Sequence, residues 1–263
     1  MDEQLFESVC RRAREAAVLQ TAAETLEWDE RTGMPVAAGA YRAEQISALR
    51  TAVHRIRTDS QYGDDLQTLV QQVAELDPGS DTRACVDGLH RDWDRNRKLP
   101  TELVEKISNA RVLGQQIWDQ ARGENDFSLF RDALANMVGL QREAGTRMAE
   151  GTDRDAYDAL LDTYEPNAKA DDLQRVFDEV RGPLVGLVEE IAAAPKKPPT
   201  EILKRSYPVE AQRQFSRFVA EKVGFDFQRG RLDETSHPFC TTLGPHDCRI
   251  LTRYDEHWLP GGL

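Results

Sequence analysis

The 263-residue sequence predicts a mainly α protein, an elongated assembly of many helices with a small antiparallel β element near its C-terminus. Three observations predict it. Apolar residues recur at steps of three and four over most of the chain, the spacing that lines one face of an α-helix. The stretches are punctuated by turn chemistry, as in Gly33-Met34-Pro35 and Asp77-Pro78-Gly79-Ser80. After Gly224 the texture changes to short extended pieces rich in β-favouring side chains.

The first helix is expected from about residue 3 to Trp28, because Leu5, Val9, Ala13, Ala16, Leu19, Ala23 and Leu26 fall on one stripe. Ile46, Leu49, Val53 and Ile56 continue the pattern, and Leu66, Leu69, Val70, Val73 and Leu76 repeat it. A helix over 81–97 turns Val86, Leu89 and Trp93 inward. The next starts after Pro100, with Thr101 as a cap and Leu103, Ile107, Ala110, Leu113 and Ile117 as its stripe. Residues 126–150 read likewise through Phe130, Leu134, Met137 and Met148. A long helix from Asp171 is expected to bury Leu173, Val176, Phe177, Val180, Leu184, Leu187, Val188 and Ile191, with a kink at Gly182-Pro183. The run Ala194-Pro195-Lys196-Lys197-Pro198-Pro199 closes it and separates a helical region, 1–194, from a hinge, helix and strand region, 195–263. Val209–Val223 is again helical, and Arg249–Tyr254 is the best strand.

Composition excludes several classes. Lys plus Arg number 34 against 46 Asp plus Glu, a formal charge of −12 that repels nucleic-acid backbones and anionic lipid. No apolar run approaches the ~20 residues that cross a bilayer, and the acidic start MDEQLFESVC is not a signal peptide. A cytoplasmic location follows as the expectation, and four scattered cysteines are expected as free thiols rather than a disulfide framework.

The residues that bear chemistry cluster near the end. None of the five histidines forms an HxxxH or HExxH pair, the one-turn spacing that aims two imidazoles at one ion. His237, Cys240, His246 and Cys248 offer four ligands within twelve residues, so a closed structural zinc site is one reading. The spacing lacks a CxxC pair and would turn alternate side chains to opposite faces of a strand. Pro238 and Phe239 can hold the His237 imidazole at a cleft rim, or simply pack. Asp247 and Arg249 share one side of an extended segment, as a local ion pair or as a carboxylate orienting a guanidinium to receive another carboxylate.

LEWDERTGMP with Arg42 and Gln45, YDALLDTYEPNA, YPVEAQRQF, RGRLDETSHPF and DCRILTRYDE resemble, in this order, the N-terminal half of the carboxypeptidase Taq family of zinc metallocarboxypeptidases. The resemblance implies a mainly helical homodimer that uses zinc or cobalt to remove C-terminal residues from peptides. It implies that the HPF and DxRxT segments line the cleft, so His237 and Arg249 face substrate, Asp247 supports Arg249, and Arg253 and Tyr254 lie nearby. Leu251 departs from that motif, standing where threonine is usual. The family's HExxH is not among these residues, so the resemblance assigns no catalytic residue or metal ligand here, and no ion is expected on this chain. A truncated peptidase, inactive alone, is the first expectation; a non-catalytic helical peptide-binding or regulatory module is the alternative.

Overall fold

The computed structural model describes residues 1–262 and divides the chain into two compact units, Met1–Ala168 and Lys169 onward. That division falls ahead of the helix starting at Ala170, whereas composition alone drew its boundary at the proline-rich run. Unit 1 contains α1 (Glu3–Thr32), α2 (Gly39–Arg57), α3 (Ser60–Val73), α4 (Asp81–Arg97), α5 (Thr101–Glu124), α6 (Arg131–Ala149) and the short α7 (Ala156–Leu161). Single 3₁₀ turns at Val36–Ala38 and Phe127–Leu129 lead into α2 and α6.

Local chemistry sets the helix ends. Asp2, Asp59 and Asp155 cap α1, α3 and α7, each accepting from a backbone N–H three residues on, at 3.0, 2.9 and 2.8 Å. Asp59 also accepts from Arg12 of α1 at 3.1 Å, so one carboxylate starts α3 and ties it to its neighbour. Asn125 ends α5 in the left-handed conformation, φ 53°. Thr101, the expected cap of α5, lies inside the first turn instead; Pro100 holds the cap position with no side-chain bond.

The apolar stripes bury against one another in three clusters. Val9, Tyr62, Leu66, Leu69, Val73, Val86 and Trp93 join α1, α3 and α4. Ala43, Ile46 and Val112, with Leu26, join α1, α2 and α5. Leu103, Ala144, Met148 and Ala159 join α5, α6 and α7. Gly63 is required where α3 crosses α4, because a Cβ there would overlap the Trp93 indole.

Unit 2 holds α8 (Ala170–Ala193), a 3₁₀ turn (Glu201–Lys204), α9 (Val209–Lys222) and strands β1 (Gly230–Glu234), β2 (Phe239–Thr242) and β3 (Cys248–Thr252). The sheet order is β1-β3-β2. The β2–β3 hairpin is antiparallel, as expected, while β1 pairs with β3 in parallel, Arg231 opposite Arg249. The helix α8 runs unbroken through Pro183. Its apolar stripe corrects the expectation of burial: Val176, Phe177, Val180, Leu184, Leu187, Val188 and Ile191 are 51–61% exposed. No helix among the described residues is long and apolar enough to cross a membrane.

Two predictions come from unit 1. Leu66 is fully buried, so Leu66→Ala leaves a cavity and lowers unfolding free energy by about 2–5 kcal/mol in urea titrations. Val18→Ala, at a largely exposed position, shifts it by less than about 0.5 kcal/mol. The second concerns Glu30, whose Oε1 is buried with no hydrogen-bond partner. Burial pushes its carboxyl up to about 7, Glu27 adds to the rise, and Arg31, Arg111 and Arg42 oppose it. The folded state therefore holds this proton more tightly than the unfolded chain, whose pKa is the ordinary 4.5. Glu30 thus destabilises the fold increasingly as pH rises from 4.5 to about 7. Partial exposure screens the effect to about 1–2 kcal/mol. Glu30→Gln removes that component, so at pH 8 the variant has the higher urea midpoint, and the difference closes as pH falls towards 4.5.

Candidate functional site

The candidate site in unit 2 is assembled by α9 and the sheet. Gln212, 2% exposed, donates through Nε2 to the Tyr207 carbonyl at 2.8 Å and to the Asp255 carbonyl at 2.7 Å. The Tyr207 N–H donates to the Glu256 carbonyl at 2.8 Å, so the segment after β3 is bound to the start of α9. Arg213 reaches β1, its Nε donating to Glu234 at 2.6 Å, and its guanidinium lies 5.9 Å from the Tyr254 ring centre. Ser216 and Thr252 hydroxyls both donate to the Gly262 carbonyl, at 3.1 and 3.2 Å.

Asp247 and Arg249 form a two-pronged pair, Arg249 Nε to Oδ1 at 2.5 Å and Nη2 to Oδ2 at 2.8 Å. Hydrogen bonding from Arg249 holds the Asp247 carboxyl below the usual carboxylate range, and the same bond raises the Arg249 pKa. Both groups are charged at neutral pH. Beside them Arg231 donates to Asp233 at 2.8 and 2.6 Å. The parallel register sets Arg231 opposite Arg249, so two guanidiniums and two carboxylates share this part of the sheet.

The other three candidates sit at the far end of β3. Arg253 donates to the Ser236 carbonyl at 3.3 Å, and the Thr235 N–H donates to the Thr252 carbonyl at 2.9 Å. These bonds bring the exposed His237 loop to Arg253 and Tyr254. Arg249 and Arg253 are four residues apart, about 13 Å along an extended chain. The candidate residues therefore fall into two groups, Asp247 with Arg249 and His237 with Arg253 and Tyr254, one at each end of the strand. Leu251 between them is buried, opposite Phe239 of β2, and takes an apolar contact where the family motif has a hydroxyl.

Sequence reading did not single out Gln212, Arg213, Arg231 or Asp233. All four lie in the quoted YPVEAQRQF and RGRLDETSHPF segments, which was the only signal available. The LEWDERTGMP corner proves to be architectural: Arg42 donates to Asp29 at 2.7 Å, to the Leu26 carbonyl at 3.0 Å and to Gln45 at 3.1 Å. His54 and His90 are packing residues, His54 buried at 5% exposure and His90 tilted against Trp93.

No described residues fit a peptidase metal. Among them no three His, Cys, Asp or Glu side chains converge where they could hold an ion. Of the four ligands of the zinc reading Cys240 and Cys248 meet, Sγ to Sγ at 3.9 Å, while His246 sits exposed at φ 65° in the β2–β3 turn.

The carboxypeptidase Taq (M32) metallopeptidase family profile matches residues 8–263. Thermostable carboxypeptidase 1 of Thermus thermophilus is 34% identical over 268 aligned residues, covering 99% of this chain and 52% of that protein. Carboxypeptidase 1 of Bacillus subtilis is 33% identical, covering 88% and 45%. A crystal structure designated BsuCP superposes with a TM-score of 0.91 at 30% identity, over 98% of this chain and 51% of that one. The chain thus spans about half the length of these relatives. A match over nearly every residue makes this chain a member of the M32 carboxypeptidase Taq family of metallopeptidases.

Proposed function

We propose that this chain supplies the substrate-binding wall of a metallocarboxypeptidase that removes C-terminal amino acids from peptides. The observation that carries the reading is the Asp247–Arg249 pair. A guanidinium offers five N–H donors in one plane, and a carboxylate held on one edge fixes that plane for recognition of a second. His237, Arg253 and Tyr254, at the other end of β3, would contact the substrate beyond its terminal residue.

In this reading zinc or cobalt, supplying the hydrolytic water, is held by polypeptide other than these 263 residues, a reading supported by the lack of three converging His, Cys, Asp or Glu side chains among the described residues. The apolar face of α8 supports the same division. We assign it to contact with the polypeptide that forms the other half of the relatives' length.

Three measurements test the proposal. With zinc or cobalt added, the 263-residue chain alone releases no C-terminal residue from N-blocked peptides; chelator-sensitive release would refute the assignment. By calorimetry the chain binds a peptide with a free C-terminal carboxylate more tightly than its C-terminal amide, and Arg249→Ala erases that preference, a loss of roughly ten- to a hundredfold for charged hydrogen bonds. Equal binding of acid and amide by the unmutated chain would sink the role of Arg249. Finally, with its assigned partner absent, the 263-residue chain is expected to self-associate through the α8 face in sedimentation, and Val180→Asp with Leu187→Asp abolishes this without lowering the melting temperature, since both side chains are more than half exposed; a chain that stays monomeric would overturn the assignment of that face.

A further inference from the structure

We propose that Cys240 and Cys248 are a thiol modification site: a small-molecule disulfide oxidises them reversibly to a cross-strand disulfide within the β2–β3 hairpin. Their sulfurs are already in contact at 3.9 Å. Cys240 pairs with Ile250 and Cys248 with Thr242, so the two cysteines are diagonal neighbours on one face of the hairpin. The turn holds them there. The Leu243 N–H donates to the Asp247 carbonyl at 2.8 Å, and Gly244, at φ 130°, makes the reversal that a side chain would strain.

Access suits an exchange reaction, because Cys240 is exposed and Cys248 half-buried. The Cys240 thiolate attacks one sulfur of the small disulfide, forming a mixed disulfide and expelling one small thiolate. The Cys248 thiolate then attacks the Cys240 sulfur and expels the second. Two protein thiols lose two electrons and two protons; the small disulfide gains both and leaves as two thiols. Burial and the Cys248 sulfur raise the Cys240 pKa, so the reaction accelerates with rising pH.

Diagonal positions lie about 7–8 Å apart at Cα, longer than the roughly 4.4–6.8 Å that a relaxed disulfide spans. Closure therefore draws β2 inward. That strand can move: it is four residues long and pairs on one side only, with β3. The bond formed is strained and readily reduced, which makes the step a reversible one. It would clamp the hairpin that carries Asp247 and Arg249 next to Cys248.

Tryptic mapping tests this on the whole chain, because both cysteines fall in one peptide, 232–249. After incubation of the reduced protein with oxidised glutathione, the peptide is expected to lose the mass of two hydrogens and to regain it with dithiothreitol. The internal bond should form several-fold faster in folded protein than in concentrated urea. A peptide of unchanged mass, one carrying only glutathione, a link to another chain, or formation no faster than in urea would each overturn the proposal. None of these readouts depends on peptidase activity, so the disulfide and the substrate-wall reading fail independently.

Discussion

Unit 2 depends on one buried amide. Gln212 spends both Nε2 hydrogens on backbone carbonyls, of Tyr207 and Asp255, that are far apart in sequence. A buried donor left unpaired costs about 1–3 kcal/mol, so the amide holds these carbonyls in place more strictly than an apolar contact would. Apolar contacts are scarce here. Beyond residue 168, Leu243 and Leu251 are the buried apolar side chains among the described residues, beside the buried polar Gln212, Ser216 and Thr252. Unit 1 reverses that balance, with its three apolar clusters. The sheet with the candidate site is thus latched by directional bonds, including Arg213 to Glu234 and two hydroxyls to the Gly262 carbonyl.

Scarcity of core in unit 2 is the counterpart of the exposed face of α8. Full burial of one large aliphatic or aromatic side chain contributes about 1.5–3 kcal/mol, so the seven half-exposed side chains there leave on the order of 10 kcal/mol unrealised. Whole domains have a net stability of about 5–15 kcal/mol. A deficit of that size matters to the unit's survival, and a helix of this kind owes most of its stability to packing against a partner.

Sequence periodicity located every long helix because it reports which face is apolar. It does not report whether that face is covered, and this is why α8 was read as buried. The alternation of Arg249 to Tyr254 revealed β3, yet its parallel pairing with β1 was hidden, since β2 intervenes in the chain and register has no local signature. The same reason separates the site residues. Asp247 and Arg249 are two apart, and period-two geometry suffices to bring them together. Gln212 meets Asp255 across 43 positions and Arg213 meets Glu234 across 21, contacts that only the folded chain displays.

The arrangement of charge gives Asp247 a task within the sheet itself. Arg231 and Arg249 stand opposite one another in the register, and like charges so placed destabilise a sheet. Each is neutralised by its own aspartate two residues away, which leaves the quartet with no net charge. A peptide carboxylate approaching a chain of formal charge −12 gains no long-range steering from it. Beyond a Debye length of about 8 Å, salt removes most of what remains. If Arg249 receives a peptide carboxylate as proposed, recognition rests on short-range, planar hydrogen bonding, with the guanidinium plane fixed by Asp247.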